Sequence, residues 1–367
     1  MKEVIQAIAF SAPALCALAC LTIMLFDSFH PGKNRQEKQL RLYLSFTYLV
    51  TALGWTGLAL LVINHRAFVH YQTIFLLTLM LDQIMIYRFV YTITVTEPHK
   101  RFSYLHFAFP LFLTAVSAVC AFTIPFEQRM AVIYNTGEST GYSLFALLYS
   151  LSSIVFIVYN TLYPALGLLR IRRYRRSIVD YSADTQRSSL DWLSVMLALI
   201  LIAVPVPLAG MLLNISIFNN FWTSTQGVLP YIFIYSILCY NLLSDNYVII
   251  SPDDENLLSK DIHIDRKRFN KYMQDKKPYL NPKLKITDLC RELGANRSYL
   301  SAFINREYGM NFSRFINHYR LVELDRLSAS GKGNSNIELV LLAGFGSYRN
   351  YLVVKNEEHK ESILKAF

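Results

Sequence analysis

The chain has 367 residues, 53% of them hydrophobic and 17% charged, and a formal net charge of +10. Residues 1–243 hold only 16 of the 36 Lys/Arg and 10 of the 26 Asp/Glu, too few for a soluble surface, whereas 244–367 has ordinary charge density. These figures exclude a wholly soluble protein and place a membrane domain over 1–243, a linker over 244–264 and a soluble domain over 265–367. The cysteines exclude a disulfide framework: Cys16 and Cys20 share one apolar run, Cys120 and Cys239 lie in others, and Cys290 stands in the soluble part. No Cys/His cluster has metal-ligand spacing, so no metal and no cofactor is expected.

In chain order, seven apolar runs are long enough, at roughly 20 residues, to cross the hydrocarbon core. They cover about 4–26, 41–63, 72–95, 104–125, 142–169, 190–213 and 227–249. The first exceeds a signal peptide's apolar core and lacks a small-x-small cleavage site, so it reads as a retained span. Helices are the expected form, because a spanning segment must satisfy its own backbone hydrogen bonds. Pro110, Pro164, Pro205 and Pro207 predict kinks rather than breaks.

Orientation follows from the alternate loops. Lys33, Arg35, Lys38, Arg41, Lys100, Arg101, Arg170, Arg172, Arg173, Arg175, Arg176 and Arg187 fall in one set; Arg66 and Arg129 fall in the other. That asymmetry puts the first set in the cytoplasm, the N-terminus outside and the C-terminal domain inside. The loop "RIRRYRRSIVDYSADTQR" reads as a topology determinant that also contacts anionic membrane lipids.

In the soluble part, "RKRFNKYMQD" predicts a helix stopped by Pro278 and Pro282. Thr287 is expected to cap a second, with Leu289, Cys290 and Leu293 at buried spacing and Gly294 just past its end. Asn296 then caps a third, whose buried stripe is Leu300, Phe303 and Ile304, so that Arg297, Ser298, Ser301, Ala302 and Asn305 face away. Asn311 caps a longer helix carrying Phe312, Phe315, Ile316, Tyr319, Val322 and Leu327. Residues 266–326 carry 14 Lys/Arg against 6 Asp/Glu, a net +8 that suits phosphate contacts.

The stretch "PYLNPKLKITDLCRELGANRSYLSAFINREYGMNFSRFINHYRLVELDRL" resembles the DNA-binding domain of the AraC/XylS transcription regulators. The Gly294–Asn296 corner, "SYL" at 298–300, "YGMNF" at 308–312 and "RLVELDRL" at 320–327 carry the likeness, over about 100 residues. The resemblance implies two helix–turn–helix units joined by one long helix, with 297–306 as the first recognition helix. It places Ser298, Ser301 and Ala302 at base-facing positions, flanked by Arg297, Asn305 and Arg306. Ser accepts several base edges and Ala touches a thymine methyl, so the implied readout is tolerant.

The second unit departs from that pattern. Gly-Phe-x-Ser stands at 344–347 and an aromatic at Tyr351, but Lys355 occupies the place of the expected Phe. Leu352 and Val353 stand where polar readers belong, and "HKES" replaces the closing Gly-x-Thr-Pro. This half is expected to fold against the long helix and to read DNA poorly; Leu352, Val353 and Val354 serve either the core or a protein partner.

Within the membrane part, Asp82 lies mid-span, where a carboxylate costs about 2.5–3.5 kcal/mol on insertion scales. It lines a ligand pocket or forms a polar clamp, with Gln83, His106 and Asn160 as candidate hydrogen-bond partners; Arg88 snorkels toward the cytoplasmic side. No HExxH, Gly-x-Ser-x-Gly, P-loop or kinase loop occurs, so no enzyme and no catalytic residue is expected. The sequence thus predicts an all-α protein: a seven-transmembrane helix bundle followed by a cytoplasmic helical domain with two helix–turn–helix units, the second degenerate. The expected function is a transcription regulator in the bacterial cytoplasmic membrane. Its expected partners are double-stranded DNA, membrane lipids, a second copy in a homodimer, and an unidentified signal ligand or protein. The alternative is a membrane receptor whose soluble domain binds a protein.

Overall fold

In a computed structural model, the chain is described over residues 2–95, 101–134, 143–203, 227–250, 264–331 and 335–366. Among them the regular structure is helical, with no strand beyond an isolated bridge between Ser182 and Lys285. Two compact units emerge. One comprises Met1–Thr92, Arg101–Ile171 and Asp191–Asp245; the other comprises Ile93–Lys100, Arg172–Leu190 and Asn246–Phe367.

The first unit is built from apolar helices: α1 Lys2–Ser28, α2 Arg35–Ile63, α3 His65–Ile93, α4 Ala108–Thr123, α5 Phe126–Tyr134, α6 Ser143–Ile178 as far as Ile171, α8 Asp191–Ala203 and α9 Leu229–Leu243. The short α7, Thr185–Ser188, precedes α8. Among the described residues, six segments are long and apolar enough to cross a membrane: Val4–Ser28, Arg35–Ile63, His65–Ile93, Tyr104–Thr123, Leu144–Ile178 and Thr185–Ala203. They mark the chain as a membrane protein. The seventh apolar run forms only the 15-residue α9, roughly 22 Å of helix against a hydrocarbon core of about 30 Å. The chain turns at Asp245, whose φ is 49°.

Local sequence explains these boundaries. Asn34 accepts from Glu37 N–H at 2.8 Å and donates its own amide to the Glu37 carboxylate at 3.1 Å, a reciprocal cap that starts α2. A single residue, Asn64, separates α2 from α3 and caps the latter by accepting from Ala67 N–H at 3.0 Å. Pro110 sits in the first turn of α4, where its missing N–H costs nothing, and Pro164 is carried inside an unbroken 36-residue α6. Pro205 and Pro207 lie outside the described residues. α1 packs along α2 and against α9, which also meets α8.

Arg41 ties three of these helices together. Its fully buried guanidinium donates to Asp27 at the end of α1, to the Leu242 carbonyl of α9 at 3.1 Å, and to Asp245 at 2.8 Å. Lys33 joins Asp245 at 3.0 Å. Burial alone would raise the Asp245 pKa, but the hydrogen bonds from Lys33 and Arg41 outweigh it and hold the carboxyl below its usual range. Sequence reading counted Arg41 as an open-loop cation; it is instead a buried knot.

The second unit holds α10 Arg266–Lys276, α11 Ile286–Leu293, α12 Arg297–Tyr308, α13 Phe312–Ala329, α14 Asn336–Leu342 and α15 Tyr348–Ala366. Phe269 of α10, Phe303 of α12 and Phe315 of α13 meet in its aromatic core, with ring centroids 5.4 and 5.7 Å from Phe269. Leu324 and Leu327 of α13 continue into a second cluster with Val340, Ala343, Phe345 and Val354. The expected linker is partly structural, since Tyr247, Val248 and Ile250 are buried and Tyr174 donates to the Val248 carbonyl at 2.6 Å. Residues 251–263 lie outside the described part.

Candidate functional site

α11 and α12 form a tight corner. Lys285 is the N-cap of α11, and its amide donates to the Asp288 carboxylate at 2.9 Å. Thr287, expected as the cap, is buried inside the helix. Gly294 then takes φ 70°, a left-handed conformation that a side chain would strain, and Ala295 N–H returns to the Cys290 carbonyl at 3.1 Å. Asn296 caps α12 through Tyr299 N–H at 2.7 Å, and Gly309 closes it.

The helix has two faces. Leu300, Phe303 and Ile304 are buried, while Ser298, Ala302, Asn305 and Arg306 are exposed and Arg297 and Ser301 are half-buried. Asn305 donates back to the Ser301 carbonyl at 3.1 Å, and Arg306 pairs with Glu307 at 3.0 Å. The Arg297 guanidinium lies 5.1 Å from the centre of the Tyr181 ring. The six sequence-derived positions therefore share one helix, and four of them present side chains to solvent.

α13 starts where Asn311 accepts from Arg314 N–H at 2.9 Å. Its core face includes Phe312, Phe315, Ile316 and Leu327, but Val322 is 55% exposed and Leu324 is buried in its stead. On the same face lies Arg320, whose side chain is fully buried. It donates to the carbonyls of Tyr279 (2.8 Å), Asn281 (2.8 Å) and Ala183 (3.1 Å) and to Asn317 Oδ1 (2.9 Å). Burial pulls its pKa down to about 10, so it remains charged at neutral pH. One turn on, Glu323 receives Arg326 and Lys277, the latter at 3.0 Å; the Arg326 hydrogen bond foremost, with Lys277, depresses its pKa against the opposing effect of burial.

The second helix pair packs on α13. Gly344 has φ 94°, and a Cβ there would fall on the Tyr279 carbonyl. Ser347 caps α15, accepting from Asn350 N–H at 3.0 Å. Val354 belongs to the core, whereas Leu352 and Val353 are 42% and 43% exposed. Lys355 lies 5.6 Å from the Tyr351 ring centre.

Sequence reasoning missed the role of 179–186, which it read as part of a basic loop. This segment lies along the helical unit: Ser313 N–H donates to the Val179 carbonyl (2.9 Å), Ile286 N–H to the Tyr181 carbonyl (2.9 Å) and Ala183 N–H to the Leu284 carbonyl (3.2 Å). The signal was present, because 177–186 contains no Lys or Arg although it sits amid a basic run.

In the apolar unit, Asp82 accepts from Thr51 of α2, a partner the sequence did not suggest, and from Gln83 at 3.4 Å. The other candidates lie in separate contacts. Arg88 donates to Tyr104 Oη at 2.9 Å and stands over the Tyr43 ring at 4.6 Å. His106 meets Tyr163 Oη at 3.2 Å, and Asn160 donates to the Phe156 carbonyl of its own helix at 2.8 Å. Among the described residues no group of three or more His, Cys, Asp or Glu is placed to hold a metal ion. No family model, curated protein or solved structure matches the chain.

Proposed function

We propose that this chain is a membrane-anchored, sequence-specific DNA-binding regulator of transcription. In this reading a seven-span bundle in the bacterial cytoplasmic membrane senses a signal. A cytoplasmic domain of the AraC/XylS type carries two helix–turn–helix units, of which the first reads DNA. The protein is not an enzyme; it acts by binding. The observation that carries the proposal is the α11–Gly294–α12 corner, with Ser298, Ala302, Asn305 and Arg306 exposed opposite a core of Leu300, Phe303 and Ile304. Residues 266–326 add a net +8. A recognition helix needs a packed back, a polar front and basic surroundings for phosphates.

The test is retention of duplex promoter DNA by the detergent-solubilised full-length protein across a salt series. Affinity should fall linearly on a log–log scale, by about 0.9 in slope per phosphate neutralised. Arg297→Ala should weaken binding to all sequences, whereas Ser298→Ala and Ser301→Ala should change sequence preference more than affinity. A folded protein that retains no duplex at low salt fails the proposal. The protein-partner reading would then stand, and it has its own support: Ile337, Leu341, Leu342, Leu352 and Val353 of the second helix pair are 42–57% exposed, an apolar surface that suits a protein better than a phosphate backbone.

A further inference from the structure

Segment 179–186 engages the helical unit at the starts of its helices. The first amides of an α-helix have no partner within the helix. Here Ile286 N–H, the first of α11, is taken by the Tyr181 carbonyl, and Ser313 N–H, the second of α13, by the Val179 carbonyl, both at 2.9 Å. Ala183 N–H and the Leu284 carbonyl add a 3.2 Å bond beside the antiparallel bridge from Ser182 to Lys285. Tyr181, Ser182, Ala183 and Asp184 are buried, and the Ala183 carbonyl accepts from Arg320.

Its side chains then reach the first turns of α12 and α15. The Tyr181 ring faces the Arg297 guanidinium at 5.1 Å. Thr185 Oγ1 donates to Asn350 Oδ1 at 2.5 Å, and Ser347 Oγ donates to Gln186 Oε1 at 2.6 Å. Helix–turn–helix readers contact base edges with the N-terminal residues of the recognition helix, so a duplex and this segment call on the same first turn of α12. The segment leaves Ser298, Ala302, Asn305 and Arg306 exposed, so any competition acts at the start of that helix and not along its length.

We propose that 179–186 is an intrachain latch, anchored on the first turn of α15 and competing with DNA for the first turn of α12, so that tight DNA binding requires its release. The proposal rests on the DNA-binding reading above. The latch is continuous in sequence with two apolar helices: α6 ends at Ile178, immediately before it, and α8 begins at Asp191, five residues after it. A change in either helix therefore reaches the latch through few intervening bonds.

The test uses full-length protein in detergent and a randomised duplex pool at about 50 mM salt, where phosphate contacts are strong. The Thr185→Ala/Gln186→Ala double variant loses both side-chain bonds to α15 and should bind about tenfold tighter than the parent. Independently of any variant, saturating duplex should speed hydrogen exchange at the Ala183 amide of the parent about tenfold, because that amide loses the Leu284 carbonyl on release. If duplex binds but the variant gains no affinity and Ala183 stays protected, the latch is wrong and the DNA reading survives. If neither parent nor variant retains duplex, the DNA reading fails and takes the latch with it.

Discussion

Replacing Arg320 with Met tests what organises the helical unit. Met refills most of the aliphatic volume, so the change isolates the four donor contacts to Tyr279, Asn281, Ala183 and Asn317. Hydrogen bonds from a charged donor are the stronger kind, and the stranded carbonyls stay buried, so the loss should be about 3–5 kcal/mol. That is a large part of the 5–15 kcal/mol typical of a whole domain. It corresponds to roughly two to four powers of ten in an opening equilibrium. Hydrogen exchange in the full-length detergent-solubilised protein reads this at the Ile286 and Ser313 amides, which the 179–186 segment protects. Arg320→Lys keeps the charge but not the planar fork and should recover only part of the loss. The guanidinium is charged throughout the neutral range, so the effect should not change between pH 6 and pH 8. Exchange in Arg320→Met within twofold of the parent would refute the idea that this side chain gathers the segments around it.

Further outcomes follow from the same geometry. A reporter active only in the cytoplasm should be active when fused after Leu243 and silent near residue 135; the reverse would overturn the orientation drawn from loop charges. Gly344→Ala should destabilise the second helix pair by at least 1–3 kcal/mol, because the new methyl meets the Tyr279 carbonyl in a left-handed backbone conformation; thermal unfolding that matches the parent would rule this out. Glu323 has a folded pKa below its unfolded value, so its contribution is complete above the ordinary carboxylate range and disappears as pH falls through the depressed folded value. Glu323→Gln should accordingly flatten the acid side of the stability profile while the Arg326 and Lys277 side chains remain, and an unchanged acid limb would contradict that sign.

Helix positions in the soluble part were readable because their signals are local. Asn296 and Asn311 cap α12 and α13 as their sequence positions suggest, and Leu300, Phe303 and Ile304 form the predicted stripe. Errors arose where tertiary contacts override local preference. Thr287 is a good N-cap residue, yet Lys285 and Asp288 start the helix two residues earlier and leave Thr287 inside. Val322 has the right chemistry for the core, but the buried arc of α13 passes through Arg320, Glu323 and Leu324. A charged pair on that arc is hidden from a reading that seeks apolar residues, although the four-residue spacing of Arg320 from Ile316 and of Glu323 from Leu327 was visible. Asp82 shows the same limit: its mid-span position marks a carboxylate in need of a partner, but that partner, Thr51, stands 31 residues away and carries no signal of its own.

The contrast between the two helix pairs bears on how such a protein would reach useful affinity. One recognition helix supplies few base contacts, and specific sites normally need more than one module. The second pair does not add the missing polar readers, since Leu352 and Val353 are exposed on α15. The remaining source of valency is a second chain, whose reader would act at a raised effective concentration once two membrane domains associate. On that argument the operator would contain two copies of one half-site, and the proposed latch would act on each reader separately. Latch release and chain pairing would then multiply, because each raises occupancy by its own factor. A footprint of two half-sites, with occupancy that rises steeply in protein concentration and shifts as a whole in Thr185→Ala/Gln186→Ala, is the expected pattern. A single protected half-site bound by one chain would leave the second helix pair without a substitute and break this link between the degenerate unit and pairing.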